Sequence, residues 1–377
     1  MNVIITVIND VVTDRRVQKH TSLLKELGCN LTVVGRHLNR SPVAGNPDFK
    51  VIRLRLLFEK GPWMYISFNI RLFLSLLFRK ADLYIANDLD TLLPCFILSR
   101  LRKKPLIYDS HEYFTGQHGL EERKLVYGFW KRIEKSILPK IRWMITVSDS
   151  IARLYCEEYG INPVVVRNLA PSSAGIKPVE RSATGARDED LLIVLQGSGI
   201  NPGRGTRELI DAIALTERVF LLVIGAGDEL GDIQSMVENR NLSHKVGFLP
   251  RMSWESMMSY TKCCDAGVTL DRDTCLNQRY SLPNKLFDYL SAGIPVIASA
   301  LPEVSSIICR YNCGVLVEKV EPLSISEAIT KIRDNPDLLD SMKIKASQAF
   351  SELNWERESV IELELFRTVI SQSKSSK

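Results

Sequence analysis

Hydrophobic positions along the chain fall into two alternating patterns. Val3–Ile8 is a continuous apolar run, as expected of a parallel strand covered on both faces. A helical pattern follows over Arg16–Leu27, with Val17, Leu23, Leu24 and Leu27 on its apolar stripe and Gly28 closing it. Leu31–Val34 is the next strand, and similar runs recur at Val51–Leu57, Leu83–Ala86, Pro105–Tyr108, Met144–Val147 and Val164–Val166. A second series comprises Leu191–Leu195, Val219–Ile224, Ala266–Leu270, Pro295–Ala298 and Gly314–Val317. Alternation on this scale predicts an α/β protein built on doubly wound parallel sheets.

Between the two series, residues 168–190 (NLAPSSAGIKPVERSATGARDED) are rich in Pro, Ser, Ala and Gly and lack apolar periodicity, which predicts an interdomain linker. The expected organisation is a Rossmann-like domain over residues 1–168 and a second over 169–355. A helix at 356–370 is expected to pack back on the first domain, and the tail 371–377 (SQSKSSK) to be disordered. In such folds ligands bind beyond the carboxyl ends of the strands, here in a cleft between two sheets, so functional residues should follow strands directly.

Composition changes this picture only modestly. The 377 residues are 45% hydrophobic and 25% charged, which excludes collagen, low-complexity disorder and a small disulfide scaffold. Net charge is +5, unevenly spread: residues 1–165 carry 25 basic and 16 acidic side chains, the remainder 24 and 28. A basic first half suits phosphates or an anionic membrane, while the aromatic and basic residues form no recognised nucleic-acid module, so no nucleic acid partner is expected. Eight cysteines fit neither a disulfide framework nor a zinc pattern. The N-terminus has no basic n-region or cleavage site, so the protein is expected to be cytoplasmic. Trp63–Lys80 (WMYISFNIRLFLSLLFRK) is too short to span a bilayer; it is expected to pack on the sheet, with a peripheral contact at the inner membrane face as its second use.

Candidate chemistry follows the strands. After Leu195 comes Gln196-GSGINPGRG-Thr206, where four glycines, a helix N-terminus and Arg204 could meet phosphate oxygens. Gly225-Ala226-Gly227-Asp228 lacks the third glycine of a dinucleotide fingerprint, Leu230 standing in its place, which disfavours NAD. Tyr280-SLPNKLFDYLSAGIPVIA-Ser299 places Lys285 and Asp288 three apart near a helix start, suited to a phosphate and a ribose hydroxyl or simply to a surface ion pair. In the first half, Asp109, His111 and Glu112 follow a strand, as do Asp88 and Asp90; Asp10 and Arg16 follow the first strand, and Asp14 is either a site residue or an N-cap.

Together these motifs resemble the family 4 glycosyltransferases. The resemblance rests on TDRRVQKHTSLLKELG, NDLDTLLP, YDSHEYF, ITVSDSIARLY, RNLAP, GRGTRELIDAI, GAGDEL, KVGFLP and NKLFDYLSAGIPVIAS, in that order along nearly the whole chain. It implies the GT-B fold, two Rossmann-like domains facing across a cleft. It also implies transfer of a sugar from a UDP- or GDP-sugar, with anomeric retention, no metal and no other cofactor, to a glycan or lipid-linked acceptor. The family's phosphate-binding lysine aligns with Arg204, followed by Gly205, and its second basic residue is replaced by Ser198. Of the two family acids, the ribose-binding one aligns with Asp288 and the sugar-binding one with Tyr280. Amides near Leu282, Asn284 and Lys285 are implied to meet the diphosphate, although Pro283 has no N–H to offer. His111 matches the family histidine beside the reacting sugar, with Asp10, Arg16, Asp88, Asp90, Asp109, Glu112 and Tyr280 lining the acceptor or donor-sugar cleft. Two other readings stay open at this point: a nucleotide-sugar epimerase of the same architecture, and a non-catalytic nucleotide-sugar binding protein.

Overall fold

The computed structural model describes residues 1–11, 14–38 and 48–375. Thr13, which opens the first family-like motif, and the last two residues of the expected tail lie outside the described residues. The chain divides into two compact units, Met1–Asn168 with Ser359–Lys377, and Leu169–Glu358.

The first unit carries strands β1 (Asn2–Thr6), β2 (Asn30–Arg36), β3 (Lys50–Leu54), β4 (Leu83–Asn87), β5 (Leu106–Ser110), β6 (Trp143–Thr146) and β7 (Val164–Val165). All pair in parallel, in the order β3-β2-β1-β4-β5-β6-β7. Helices α1 (Arg15–Glu26), α2 (Pro62–Leu77), α3 (Leu89–Arg102), α4 (Lys124–Ile137) and α5 (Asp149–Tyr159) return the chain between strands. Central strands are wholly buried, which is why β4 and β5 read as unbroken apolar runs. The edge strand β3 is half-exposed and stops at Leu54, three residues short of the expected end, because Leu57 lies in solvent.

The second unit carries β8 (Leu191–Gly197), β9 (Val219–Gly225), β10 (Val246–Pro250), β11 (Ala266–Thr269), β12 (Val296–Ser299) and β13 (Gly314–Val317), in the order β10-β9-β8-β11-β12-β13 and all parallel. Strand β10 was not expected from the sequence. Its Val246-Gly-Phe-Leu-Pro run is short and interrupted, and it is tolerated because an edge strand can carry Gly and Pro. The helices are α6 (Thr206–Leu215), α7 (Leu230–Asn239), α8 (Trp254–Thr261), α9 (Leu276–Arg279), α10 (Asn284–Ala292), α11 (Pro302–Tyr311), α12 (Pro322–Arg333), α13 (Pro336–Glu352) and α14 (Trp355–Ser375).

Two features differ from the sequence expectation. The Pro- and Ser-rich stretch after Asn168 is strapped onto the second unit: Ser173 bonds Ser291, Lys262 donates to the carbonyls of Ser173 and Ile176, and Arg181 pairs with Asp265. Low apolar content there reflects a surface strap held by polar bonds, not a free linker. Helix α14 runs on to Ser375, so most of the tail expected to be disordered is helical. Its residues from Ser359 onward belong to the first unit.

Both sheets share one topological property. The strand order reverses between β1 and β4 in the first unit and between β8 and β11 in the second. At such a switch point the connections leave in opposite directions and open a crevice beyond the strand ends, the usual ligand position in this class of sheet. Among the described residues, no helix is long and apolar enough to cross a membrane.

Candidate functional site

In the first unit the switch point is filled by a charge-balanced cluster. Asp109, at the end of β5, has no exposed surface; Arg16 of α1 donates to both its oxygens at 2.6 Å, and His20 Nε2 lies 2.7 Å from Oδ2. His111, just past β5, places Nε2 3.0 Å from Asp109 Oδ2 and 3.1 Å from Asn87 Oδ1, and Nδ1 3.2 Å from Asp88 Oδ2. The backbone N–H of His111 donates to Asp88 Oδ1 at 2.9 Å. Asp88 sits at φ 60° and ψ 165°, a region that only glycine visits freely. That strain is held at the β4–α3 junction by the bonds converging on it. Burial opposes a charge on His111, but Asp88 and Asp109 outweigh it and raise its pKa well above the usual imidazole value. Both ring nitrogens are committed to these partners, which favour its charged form.

Two members of this cluster were missed by sequence reasoning. His20 is buried on α1, its Nδ1 bonded to Glu362 of α14. Both residues carry a legible signal: His20 stands four after Arg16 on the helix's buried face, and Glu362 shares a buried stripe of α14 with Phe366 and Val369. A polar residue on an apolar stripe is the clue. Burial works against a charge on His20, yet Glu362 and Asp109 hold its pKa up at about 9. His20, Asp109 and His111 together could offer three ligand atoms to a metal. The donor set does not fit one, because Arg16 occupies both Asp109 oxygens and the ring nitrogens of both histidines are bonded to protein carboxylates.

The other expected residues are placed differently. Asp14 is the N-cap of α1, accepting from the amides of Arg16 and Val17 at 3.1 Å. Arg16 and Asp109 are sealed in the ion-pair cluster and hold His111; they do not line open space. Asp10 is buried and meets Arg53 at 3.2 Å. Asp90 is buried in the first turn of α3 with Oδ1 unbonded; burial first, then Asp88, pushes its carboxyl well above the usual range. Glu112 is half-buried and accepts from Gln117.

In the second unit the switch point gathers cations. Gly205, at φ 70°, caps α6, and a Cβ there would stand 2.4 Å from the carbonyl oxygen of Leu270. Only glycine lets the N-terminus of α6 approach the end of β11 so closely. The amide of Arg272 donates to the Gly203 carbonyl at 3.0 Å, tying the two loops together. Arg204 Nη1 then reaches Asp271 Oδ2 at 2.8 Å. Asp271, two residues past β11, was not among the sequence candidates although the strand-end rule points to it. Lys285 lies in the first turn of α10; burial, with Arg204 adding to it and Asp271 opposing, lowers its ammonium pKa. The hydroxyls of Thr206 and Thr269 and Asp271 Oδ1 are buried here without hydrogen-bond partners. Arg204 is thus bonded to Asp271, and Lys285 feels the charges of both, beside unsatisfied buried polar atoms and the N-termini of α6 and α10.

Of the remaining expected residues, Asn284 is exposed at the start of α10, and Leu282 is half-buried against the core. Asp288 is buried, accepting from Trp254 Nε1 at 2.8 Å and Gln196 Nε2 at 3.2 Å, so its carboxylate is held in one orientation. Tyr280 is half-buried, its ring 5.9 Å from the Arg279 guanidinium carbon. Gly225 and Gly227 are explained by packing: a Cβ on either would collide with the backbone of Gly197 or Ile200, at 1.8 and 2.1 Å.

Comparison with known proteins bears on the family and the fold. The family described as Glycosyltransferase Family 4 matches residues 14–169, and that described as Glycosyl transferases group 1 matches residues 179–349. The chain belongs to the family 4 glycosyltransferases. It is an enzyme of the hexosyltransferase type with the GT-B fold. An uncharacterised glycosyltransferase of Methanocaldococcus jannaschii is 22% identical over 70% of this chain and 68% of its own length. The chitobiosyldiphosphodolichol beta-mannosyltransferase of Candida albicans is 21% identical over 67% of this chain and 60% of its own length, so the chain spans less than two thirds of that relative. Among solved structures, sucrose-phosphate synthase from Thermosynechococcus elongatus superimposes with a TM-score of 0.79 at 16% identity, covering 98% of this chain and 99% of that one. Anabaena HepE in complex with UDP and glucose gives 0.73 at 14% identity, covering 98% and 99%.

Proposed function

We propose that this glycosyltransferase moves a sugar, with retention at the anomeric carbon and without a metal, from a nucleoside diphosphate sugar to a hydroxyl of a glycan or lipid-linked acceptor in cell-surface polysaccharide biosynthesis. The observation that carries the donor assignment is the gathering of Arg204, bonded to the buried Asp271 carboxylate, and Lys285, which feels both their charges, at two helix N-termini. A diphosphate supplies the negative charge that this site lacks. Gly205, Asn284 and Leu282 belong to the backbone around it, and the oriented Asp288 carboxylate accepts from the ribose. Solved HepE structures hold UDP and UDP-glucose, which makes UDP-sugars the first donors to test and GDP-sugars the second.

In the transfer step the C1–O bond to the diphosphate breaks and its electron pair leaves on the phosphate oxygen. Arg204, Lys285 and the helix N-termini stabilise that charge. The acceptor oxygen bonds to C1 on the face the leaving group vacates, and its proton passes to the departing phosphate oxygen. His111, fixed by Asp88 and Asp109 and 20% exposed, positions the sugar or the acceptor with its open ring edge. Incubation with UDP- and GDP-sugars and candidate acceptors, followed by proton NMR of the new anomeric centre, tests the reading. A product with the donor's configuration supports it; an inverted product, or a donor isomer formed with no acceptor present, overturns it.

Action at the inner membrane face, with the protein otherwise cytoplasmic, is part of the same proposal. Helix α2 buries Met64, Phe68, Leu72 and Leu76 but leaves Trp63, Ile66, Ile70, Leu74 and Phe78 exposed on its other side. Elsewhere in the first unit a cavity of about 470 Å³ is lined in part by Arg100, Lys103, Lys104, Lys140 and Arg142. An exposed apolar helix face on a basic unit suits an anionic bilayer.

A further inference from the structure

We propose that Glu362 and His20 are positioning residues of the transfer reaction, fixing the ring and the proton of His111 through the carboxylate of Asp109. The proposal rests on the reading that His111 meets the reacting sugar or acceptor. It assigns a role to the C-terminal helix, which carries none of the motif residues.

The connection is continuous and buried. Glu362 Oε1 bonds His20 Nδ1, His20 Nε2 lies 2.7 Å from Asp109 Oδ2, and the same oxygen lies 3.0 Å from His111 Nε2. The side chains of Glu362, His20 and Asp109 are 1%, 0% and 0% exposed, while His111 is 20% exposed and closes the chain at its open end. Phe366 of α14 presses on the His20 ring, with centroids 5.9 Å apart. A core that needed only stability would fill these positions with apolar side chains, since a buried ion pair gives little net stabilisation over well-packed hydrophobic groups. Buried charge that leads to one partly exposed imidazole points to control of that imidazole.

Charge balance makes the coupling specific. The groups facing the two imidazoles are Arg16 on α1, Asp88 and Asp90 at the start of α3, Asp109 and Glu112 around the end of β5, and Glu362 on α14. Arg16, His20 and His111 are bonded to Asp88, Asp109 and Glu362, three basic groups against three carboxylates; Glu112 is bonded to Gln117 outside this set, and burial with Asp88 pushes the Asp90 carboxyl well above its usual range. Removing the Glu362 charge leaves one cation in excess. The set then sheds a proton more readily, and His20 loses the charged partner that fixes its ring against Asp109.

The test compares Glu362→Gln, Glu362→Asp and His111→Ala by kcat and donor KM across pH. Glu362→Gln is expected to lower kcat about ten-fold with donor KM within about two-fold of wild type, and to move the alkaline limb of the kcat profile to lower pH. Glu362→Asp, which keeps the charge, restores the limb. A wild-type profile in Glu362→Gln, or equal losses in the Gln and Asp variants, overturns the proposal. Near-normal kcat in His111→Ala overturns the reading of His111 itself, a separate outcome. If Glu362→Gln does not fold, nitrogen NMR of the five histidines in the wild-type protein decides the matter. Both His20 and His111 should be imidazolium at pH 7.5, and a neutral ring at either position overturns the proposal.

Discussion

Arg204 donates from Nη1 to Asp271 Oδ2 at 2.8 Å, and the two ends of this pair differ in setting: the carboxylate is 1% exposed and the guanidinium 37%. A buried acid anchors a cation that is itself more than one third exposed. This is the geometry of a charge held ready for an anion, not of a surface ion pair formed for its own sake. The site needs a positive charge at a helix N-terminus more than it needs the planar fork. Arg204→Lys should therefore keep donor KM within about three-fold, whereas Arg204→Gln should raise it about ten-fold or more. Initial rates over a donor titration check this, and an unchanged KM in Arg204→Gln removes Arg204 from the site.

Gly205→Ala should damage the same site through the backbone. Its φ of 70° costs an L-residue about 1–2 kcal/mol. The new methyl would also stand 2.4 Å from the Leu270 carbonyl oxygen, so α6 must move away from β11. A lower melting temperature and weaker nucleotide binding are expected together. Weaker binding with unchanged stability would mean that the turn accepts the methyl and that another cause operates.

Stability of the first unit should depend on pH in a defined direction. The His20 pKa is raised from 6.5 to about 9, so its contribution is fully present below pH 6.5 and is lost as pH rises through about 9. The shift corresponds to roughly 3 kcal/mol. Asp109 is depressed well below the usual carboxylate value, burial being outweighed by Arg16, His111 and His20, so its contribution is present above pH 4 and is lost only in stronger acid. Urea midpoints should fall between pH 7 and 9.5 in the wild type and much less in His20→Gln. Equal slopes in the two proteins would contradict the assignment.

The exposed face of α2 should bind anionic vesicles at low ionic strength and release them as salt screens the attraction. Trp63 is 65% exposed and Phe78 83% exposed, so replacing both with Ser removes apolar contact without disturbing the buried stripe. Co-sedimentation with phosphatidylglycerol vesicles should fall several-fold in the double variant. Failure of the wild type to sediment at low salt would end the membrane proposal.

Much of this architecture was legible because parallel strands buried on both faces produce apolar runs that periodicity detects, as at Ile4–Ile5 and Ile107–Tyr108. Edge strand β10 was not, since Gly247 and Pro250 break its pattern and only pairing with β9 makes it a strand. The rule that chemistry follows strands pointed to His111, Arg204 and the loops around them as candidates. It did not reveal that Arg16 and Asp109 close on each other, because their bond joins positions 93 residues apart. Glu362 lay beyond reach for the same reason, being 342 residues from His20. Local pattern marks a polar residue on a buried stripe but cannot name its partner.

Calorimetric titration of UDP and GDP into the wild type and into Arg204→Gln/Lys285→Gln, with a metal chelator throughout, is the most direct measurement. The account predicts saturable, metal-independent binding of one nucleotide to the wild type and its loss in the double variant, with both proteins equally folded. Binding of neither nucleotide, or equal binding to both proteins, would contradict the assignment of this site to the diphosphate of a sugar donor.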